Sequence, residues 1–270
     1  MTENTFNSDG RLSEKIAVVT GSTSGIGKGI AREFALQGAR VLLSGRDETR
    51  GAKAIEEIIA AGVPRENLSF APADLSDAES CRCLIASAVE VFGALDVLVN
   101  NAGDMKRGNV ENTTVEQWDE QMTVNLRAPF ILTQAAIPHL KVRGGSIVNI
   151  GSVNAFVGET KLCAYSASKG GLLNFSKNAA AYLNQYRIRV NVLNVGWTLT
   201  EGENAVMKAD TGKEDWLEEA NQTRAFGRLL LPRDIALAAL YFASDESALI
   251  TGTALDMEQH PLGSRGTIGR

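Results

Sequence analysis

Tyr165 and Lys169 lie four residues apart in a segment predicted to be helical. At positions i and i+4, two side chains lie on the same face of a helix, one turn apart. A tyrosine with a pKa near 10 is a weak base at neutral pH, and a neighbouring ammonium lowers that pKa because it favours the phenolate. The pair therefore predicts proton transfer to or from a substrate oxygen.

A glycine-rich turn follows the first predicted strand. Gly21, Gly25 and Gly27 occur in TGSTSGIG, between that strand and the next helix. Glycines at this place let the backbone approach a diphosphate, whose charge the helix N-terminus stabilises. The spacing differs from the G-x-G-x-x-G of the general dinucleotide fingerprint, yet three glycines exceed what a plain turn requires. We interpret the turn as a nucleotide-binding element.

Short apolar runs alternate with helical patterns along the chain. Predicted strands cover residues 15–20, 40–44, 68–73, 95–100, 146–151, 187–193 and 253–257. Predicted helices begin at 25 and cover 47–61, 77–92, 115–140 (one broken helix or two adjoining ones), 164–184 and 234–243. Short strands that are apolar throughout indicate a parallel sheet covered on both faces. We therefore predict an α/β fold in one domain, residues 12–270, after a flexible N-terminal tail, residues 1–11.

Further motifs follow in order on these elements. Asn100-Asn101-Ala102-Gly103 ends the fourth predicted strand, and Asn125 and Ser152 precede the YSASK segment of Tyr165 and Lys169. Together with TGSTSGIG and the GWTLT stretch after the sixth strand, they make the chain resemble the short-chain dehydrogenase/reductase family from about residue 12 to 257.

The resemblance implies a Rossmann-like, doubly wound parallel sheet of seven strands with helices on both faces. It also implies an NAD(P)-dependent oxidoreductase that transfers a hydride between the nicotinamide and a secondary alcohol or ketone. The implied catalytic residues are Asn125, Ser152, Tyr165 and Lys169. Ser152 would hydrogen-bond the substrate oxygen, Asn125 would hold a water that links Lys169 to solvent, and Lys169 would also bind the nicotinamide ribose. The implied cofactor contacts are Gly21, Ser24, Gly25, Ile26, Gly27, Arg46, Asp74, Leu75, Asn101, Ala102, Gly103, Tyr165, Lys169, Gly196, Thr198 and Thr200.

The end of the second predicted strand bears on the choice between NAD and NADP. An NAD enzyme places an acidic side chain there to accept the ribose hydroxyls. In the family's register this position is Gly45, and Arg46 follows it. Glycine leaves room and a guanidinium suits a 2′-phosphate, so NADP(H) is favoured and NAD(H) stays open. We expect Asp47 to cap the following helix.

Two segments depart from the family's usual pattern. After the sixth strand, Val195 stands where the family commonly has proline. After the last strand the family often has an acidic residue and a glycine pair, whereas this chain reads Asp256-Met257-Glu258. The second departure puts C-terminal substrate and subunit contacts in doubt.

Residues 198–223 form a polar insertion without a predicted strand, either a solvated surface excursion or a substrate lid. The candidate substrate contacts are Val153, Asn154, Cys163, Trp197 and Glu203. Asn154 and Glu203 can hydrogen-bond hydroxyls, and Trp197 offers a flat apolar wall. Each of these residues is explained equally well as a loop residue whose hydrogen bonds are made within the protein, or as a residue that packs under the lid.

The acidic insertion disfavours an anionic substrate and favours a neutral sugar, polyol or small ketone. One alternative is a 3-oxoacyl-carrier-protein reductase, with Lys141 and Arg143 meeting the acidic surface of the carrier, although a solubilising loop explains these two residues equally well. A non-catalytic NADP-binding sensor on the same fold is an alternative of another class. Such proteins usually lack the tyrosine or the lysine.

Composition excludes several classes of protein. The 270 residues carry a net charge of -5 without a dense cluster of basic residues, which disfavours nucleic acid as a partner. No apolar stretch approaches the length of a membrane span, and the N-terminus does not read as a signal peptide. Three cysteines, Cys81, Cys83 and Cys163, and two distant histidines give no metal-ligand spacing. We expect a cytoplasmic protein without a metal site.

The predicted helix 164–184 is apolar on more than the one face that a monomer would bury. Members of the resembled family usually pair this helix across a two-fold axis. We therefore expect a homotetramer, with a dimer as the alternative.

Overall fold

The computed structural model describes residues 10–260, and the structural statements below concern this range. The strands are β1 (Ile16–Val19), β2 (Arg40–Gly45), β3 (Leu68–Pro72), β4 (Val97–Asn100), β5 (Gly145–Ser152), β6 (Ile188–Val195) and β7 (Ala254–Met257). The helices are α1 (Gly25–Leu36), α2 (Glu48–Ile59), α3 (Ala78–Phe92), α4 (Val115–Met122), α5 (Ala128–Leu140), α6 (Cys163–Leu183), α7 (Glu201–Thr211), α8 (Trp216–Gln222) and α9 (Pro232–Ala243). Residues 1–9 of the predicted tail lie outside the described residues.

The strands form one parallel sheet in the order β3-β2-β1-β4-β5-β6-β7. Its order reverses between β1 and β4, and in such sheets ligands bind at the carboxyl ends of the strands beside this point. Alternate residues of β1 face opposite sides, since Val19 packs against the α1, α2 and α9 side and Val18 against the α3, α5 and α6 side. The predicted seven-stranded, doubly wound, single-domain α/β fold is confirmed.

The helical segment predicted over 115–140 divides into three parts. A π-helical turn, Thr123–Arg127, joins α4 to α5. Such turns inside α-helices are often found at functional sites, and this one carries the buried side chain of Asn125.

The segment predicted only as a polar insertion forms two helices, α7 and α8. Thr200 caps α7 by accepting a hydrogen bond from the Glu203 amide (3.0 Å), and Gly212 ends the helix with a φ of +67°. Trp216 of α8 is buried against Trp197. The insertion is therefore neither strand nor solvated loop but a helical layer with a small apolar core of its own.

Among the described residues, no helix is long and apolar enough to cross a bilayer. The same residues contain no cluster of three or more histidine, cysteine or carboxylate side chains that would hold a metal ion.

Candidate active site

The glycine turn after β1 brings its backbone close to the loop after β4. Gly21 and Gly25 have positive φ values of 62° and 54°, which side chains rarely tolerate. A β-carbon on Gly27 would lie 2.3 Å from the carbonyl oxygen of Gly21. Thr20 Oγ1 accepts hydrogen bonds from the amides of Asn101 (2.9 Å) and Ala102 (3.0 Å). The two loops thereby form one bare backbone surface at the N-terminus of α1, which fits a diphosphate.

Two connected cavities open at this edge of the sheet. One, of about 710 Å³, extends from the glycine turn to the end of β2. The other, of about 750 Å³, extends from the ends of β5 and β6 to α7. Ile26, Asn101, Gly103 and Thr200 line both, so the cavities are continuous. Every residue expected to contact the cofactor lines one cavity or the other.

Three of the expected catalytic side chains converge in the second cavity. Ser152 ends β5, where its Oγ accepts a hydrogen bond from the Asn154 amide (3.2 Å). Tyr165 lies in the first turn of α6, half-buried, and Lys169 follows one turn later, fully buried. The Lys169 ammonium donates to the carbonyl of Ile150 (2.8 Å) and lies 5.6 Å from the centre of the Tyr165 ring. The spacing of Tyr165 and Lys169 places both at one cavity wall.

Asn125 stands behind this wall with its side chain fully engaged. Its Nδ2 donates to the Asp104 carbonyl (2.8 Å) and to Ser168 Oγ (3.0 Å), and its Oδ1 accepts from the Asp104 amide (2.7 Å). The side chain ties the π-helical turn to α6 and to the loop after β4, and it makes no direct hydrogen bond to Lys169 among these contacts. The water expected at Asn125 stays a prediction.

Burial, not Lys169, dominates the pKa of Tyr165 in the chain by itself, and the lowering expected from the ammonium together with an oxidised nicotinamide stays a prediction. Burial raises the pKa of the Tyr165 phenol, Ser152 opposes this by hydrogen bonding, and the carboxylate of Glu203 raises the pKa further. Burial also lowers the pKa of the Lys169 ammonium to about 8. The four-residue spacing predicts that the two side chains lie together, but it does not predict how strongly burial disfavours the charged form of each.

The far end of the first cavity is lined by Gly45, Arg46, Arg50, Asp74 and Leu75. A β-carbon on Gly45 would lie 2.7 Å from the Thr23 methyl group, so a carboxylate does not fit there without displacement. Asp74 accepts hydrogen bonds from the amide and hydroxyl of Ser76 (2.9 and 2.8 Å). These bonds, and then the charge of Arg46, lower the pKa of Asp74.

The local role expected for Asp47 can be compared directly with this region. Asp47 caps α2 by accepting a hydrogen bond from the Arg50 amide (3.0 Å), as predicted.

The expected substrate contacts divide into two groups. Val153, Asn154, Trp197 and Glu203 line the second cavity. Cys163 does not; it begins α6, half-buried, and its amide donates to the carbonyl of Gly108 (3.0 Å). Cys163 is only two residues from Tyr165 in sequence, but side chains two residues apart on a helix point in different directions.

Trp197 is held on several sides by the protein. Its Nε1 donates to Glu203 Oε1 (2.7 Å), its ring stacks on Trp216 with centroids 5.9 Å apart, and the Arg224 guanidinium lies 5.5 Å from its ring centre. Lid packing, the alternative stated for this residue, therefore accounts for much of its surface, although the ring also lines the cavity.

Comparison with known proteins places this geometry in a family. Residues 21–259 match the family model described as enoyl-(acyl carrier protein) reductase. The chain belongs to the short-chain dehydrogenase/reductase family. Its members act on CH–OH groups with a nicotinamide cofactor, and this chain is an oxidoreductase of that kind.

Two curated relatives and one solved structure illustrate the breadth of this family. The NADP-dependent (R)-specific alcohol dehydrogenase of Lentilactobacillus kefiri is 38% identical over 90% of this chain and 94% of its own length. The trans-4-hydroxycyclohexanecarboxylate dehydrogenase of Sinomonas cyclohexanicum is 36% identical over 92% and 93%. A variant of the actinorhodin polyketide ketoreductase, crystallised with NADPH, superposes with a TM-score of 0.85 at 31% identity, covering 91% of this chain and 96% of that one.

For a short-chain dehydrogenase/reductase, this chain has several cavity residues that the sequence argument did not identify. They are Met105, Arg107, Glu159, Lys161, Leu162 and Glu258 in the second cavity, and Thr23, Arg50 and Lys106 in the first. Most lie in loops whose path depends on the fold. Glu258 had a visible signal, because it is acidic where the family often has glycine.

Proposed function

We propose that this enzyme transfers a hydride between NADP(H) and the secondary alcohol or ketone of a small neutral molecule. The observation that supports this most directly is the convergence of Ser152, Tyr165 and Lys169 in a cavity continuous with the glycine-turn cavity. A non-catalytic sensor would need only the cofactor cradle, by which we mean the first cavity with its glycine turn, Gly21–Gly27, and the end of β2. The second cavity, with a proton-transfer group in its wall, supports turnover.

Each catalytic side chain has a proposed task. Tyr165 takes the hydroxyl proton in oxidation and returns it to the carbonyl oxygen in reduction. Ser152 holds that oxygen by hydrogen bonding, and Lys169 binds the nicotinamide ribose beside it. Asn125 keeps the π-helical turn and α6 in register behind them and holds a water for proton exchange. Bound between the glycine turn and Lys169, NADP(H) would supply or accept the hydride, and its oxidised form would add a positive charge that favours the phenolate.

The end of β2 supports NADP(H) over NAD(H). Gly45 is confined by Thr23, which disfavours the carboxylate that an NAD enzyme would use. Arg46 and Arg50 both line the cavity there and offer guanidinium donors to a 2′-phosphate. One relative is named as NADP-dependent, and the superposed ketoreductase was crystallised with NADPH.

The second cavity supports a small neutral substrate. Glu159, Glu203 and Glu258 line it together with Arg107, Lys161 and Lys169, so its wall carries no excess of positive charge that would favour an anionic substrate. Glu203 accepts from Trp197 with one oxygen, so its other oxygen can accept from a substrate hydroxyl. Asn154 and Val153 complete the wall beside Ser152, and α7 and α8 serve as the substrate lid.

Reduction of a 3-oxoacyl group on an acyl carrier protein is the second candidate, and the description of the matched family model names such a carrier. The basic residues suggested for carrier binding weaken it. Lys141 lies 3.7 Å from the centre of the Tyr186 ring, and Arg143 pairs with Asp96 (2.7 Å). Both precede β5, at the amino edge of a sheet whose carboxyl edge holds the catalytic residues, roughly 25 Å away along this strand.

The first experiment is a turnover screen, read from nicotinamide absorbance with NADP(H) and NAD(H) in parallel. The panel contains sugars, polyols, small ketones and an acetoacetyl thioester. We expect turnover of a neutral alcohol or ketone, faster with NADP(H). Preferred thioester reduction would support the acyl-carrier alternative, and preferred NAD(H) would contradict the role of Arg46. Tight NADPH binding without turnover of any compound would favour the sensor.

Assembly and location stay predictions. Phe130 of α5 is 47% exposed and packs edge-on against Phe175 of α6, with ring centroids 5.9 Å apart. Phe175 lies on α6, the helix expected to pair in a homotetramer or in a dimer, and the exposed Phe130 lies beside it on α5. Light scattering after size exclusion measures the assembly, and the cytoplasmic location rests on the sequence argument alone.

A further inference from the structure

Glu258 occupies a position where the family often has glycine. It directly follows β7, its side chain is 15% exposed, and it lines the second cavity together with Ser152, Tyr165 and Gly196. Its Oε2 lies 2.6 Å from the point where a β-carbon on Gly196 would stand. The carboxylate is thus seated against the bare α-carbon of Gly196, in space that a glycine at 258 would leave empty.

The two carboxylate oxygens of Glu258 have different surroundings. Oε1 accepts from the Gln259 amide (2.7 Å) and lies 3.9 Å from Nη1 of Arg224, whose side chain is 18% exposed. Within residues 10–260, no protein group donates a hydrogen bond to Oε2. One oxygen therefore fixes the side chain, and the other is left to accept a hydrogen bond from a molecule in the cavity.

Neighbouring residues keep Glu258 in place. Gln259 accepts from the Phe226 amide (2.9 Å) and donates to the Arg228 carbonyl (2.6 Å). His260 Nε2 lies 3.2 Å from the carbonyl of Thr223. The segment after β7 is thereby attached to the chain that follows α8, and the carboxylate is held at a fixed point of the cavity wall.

The sheet register gives the separation of the two strand ends that carry Ser152 and precede Glu258. Ser152 pairs with Val195 of β6, and Val195 pairs with Met257 of β7. Neighbouring strands are about 4.8 Å apart, so the ends of β5 and β7 are separated by roughly 10 Å. Ser152, Tyr165 and Glu258 line the same cavity, so a small ring compound with its oxygen at Ser152 and Tyr165 can extend its far end toward Glu258.

We propose that Glu258 is a specificity-determining residue, which selects a hydrogen-bond donor over an anion at the end of the substrate remote from the reacting carbon. This proposal rests on the proposed function, since it assumes a secondary alcohol or ketone held at Ser152 and Tyr165. A hydroxyl there donates to Oε2, a methyl group leaves Oε2 without a donor, and a carboxylate is repelled.

The test uses three cyclohexanols that differ only at the ring carbon opposite the reacting one. The trans-4 substituent is hydroxyl, methyl or carboxylate, and kcat/KM is measured for each with NADP⁺. In Glu258→Gln, the hydroxyl-to-methyl ratio should fall about fivefold, because a charge-assisted hydrogen bond becomes a neutral one. The carboxylate-to-methyl ratio should rise about fivefold, because a like charge is removed. A merely loosened fold would not move the two ratios in opposite directions.

Two further variants keep the result interpretable. Arg224→Gln removes the cation beside Glu258, so the carboxylate-to-methyl ratio should fall, opposite to its change in Glu258→Gln. Glu218→Gln is the matched control, since Glu218 is exposed on α8 and should leave both ratios within twofold of wild type. Ratios in Glu258→Gln that match this control would overturn the proposal and leave Glu258 as a structural contact.

Binding is measured alongside turnover so that the two proposals can fail separately. The same compounds are titrated calorimetrically into the enzyme with NADP⁺. Binding ratios that follow Glu258, without turnover of any compound, would contradict the proposed function and support the specificity role. Turnover with ratios that do not change in Glu258→Gln would support the proposed function and contradict the specificity role. Absence of both binding and turnover would contradict both proposals.

Discussion

The cofactor half and the substrate half of the cleft are held by different kinds of interaction. In the cofactor half, the buried Thr20 Oγ1 accepts from the amides of Asn101 and Ala102, and Asn101 Nδ2 donates to the carbonyls of Thr20 (2.9 Å) and Gly21 (3.2 Å). In the substrate half, the loop after β4 is joined to α7 by the pair Arg107–Asp210, both about 40% exposed. Buried hydrogen-bond networks are costly to break, whereas exposed ion pairs contribute about 0–1 kcal/mol.

This difference teaches which half can change without loss of the fold. The residues that line the cofactor cradle also join the ends of β1 and β4, so a substitution there disturbs the sheet as well as cofactor binding. The lid packs mainly on itself, around Trp197 and Trp216. We therefore expect large effects at the junction of the two halves, intermediate effects within the cradle and small effects across the lid.

The largest effect is expected at Tyr165, where the halves meet. Tyr165→Phe removes the proton-transfer group and little volume, so kcat should fall about 10³-fold, while the Kd for NADPH stays within twofold. Steady-state kinetics and fluorescence titration measure the two. Tyr182→Phe is the control on the same helix, since Tyr182 is 60% exposed. A Tyr165→Phe enzyme that kept most of its rate would show that another group moves the proton.

The second effect concerns stability at Lys169. Its pKa is lowered by burial from 10.5 to about 8, so below pH 8 the folded state carries a buried ammonium at a cost of up to about 3 kcal/mol. Between pH 8 and 10.5 the folded state releases this proton while the unfolded state keeps it, so stability rises with pH in that window. Above pH 10.5 both states are neutral and the cost is absent.

Lys169→Met should remove this pH dependence. The free energy of unfolding of wild type, relative to the variant, should increase by up to about 3 kcal/mol across the window. Urea unfolding at pH 8, 9 and 10 measures it. Lys177→Met, an exposed position on α6, is the control. Parallel pH curves for wild type and Lys169→Met would mean that Lys169 is already solvated.

Arg46 tests the cradle itself. Arg46→Ala should weaken NADPH binding about tenfold, because a charge-assisted contact to the 2′-phosphate is lost. NADH lacks that phosphate, so its Kd should change by less than twofold and serves as the internal control. Equal losses for both cofactors would indicate that Arg46 supports the loop rather than selects the phosphate.

The two halves also differ in how far sequence predicts them. Buried strands and the glycine turn are local patterns in the sequence. They therefore predict β1 and β4, and the positions of Ser152, Tyr165 and Lys169 on their elements. The pKa of Tyr165 did not, because burial depends on the whole fold. Helix α7 had ordinary end signals, Thr200 before it and Gly212 after it, which its high charge obscured. Glu258 needed the pairing of β6 with β7 to place it in the cavity.

The smallest effect is expected at the pair Arg107–Asp210, whose Nη1 and Oδ2 lie 2.6 Å apart. An exposed pair of this kind contributes about 0.2–1 kcal/mol, so Asp210→Asn should raise KM for the substrate less than about fivefold. Because exposed ion pairs are screened by salt, the wild-type KM should approach that of the variant in 0.5 M NaCl. The exchange Arg107→Asp with Asp210→Arg should recover part of the loss, and NADPH affinity should not change in any of these variants. A change in NADPH affinity would mean that the lid and the cradle are energetically coupled, contrary to the division drawn between them.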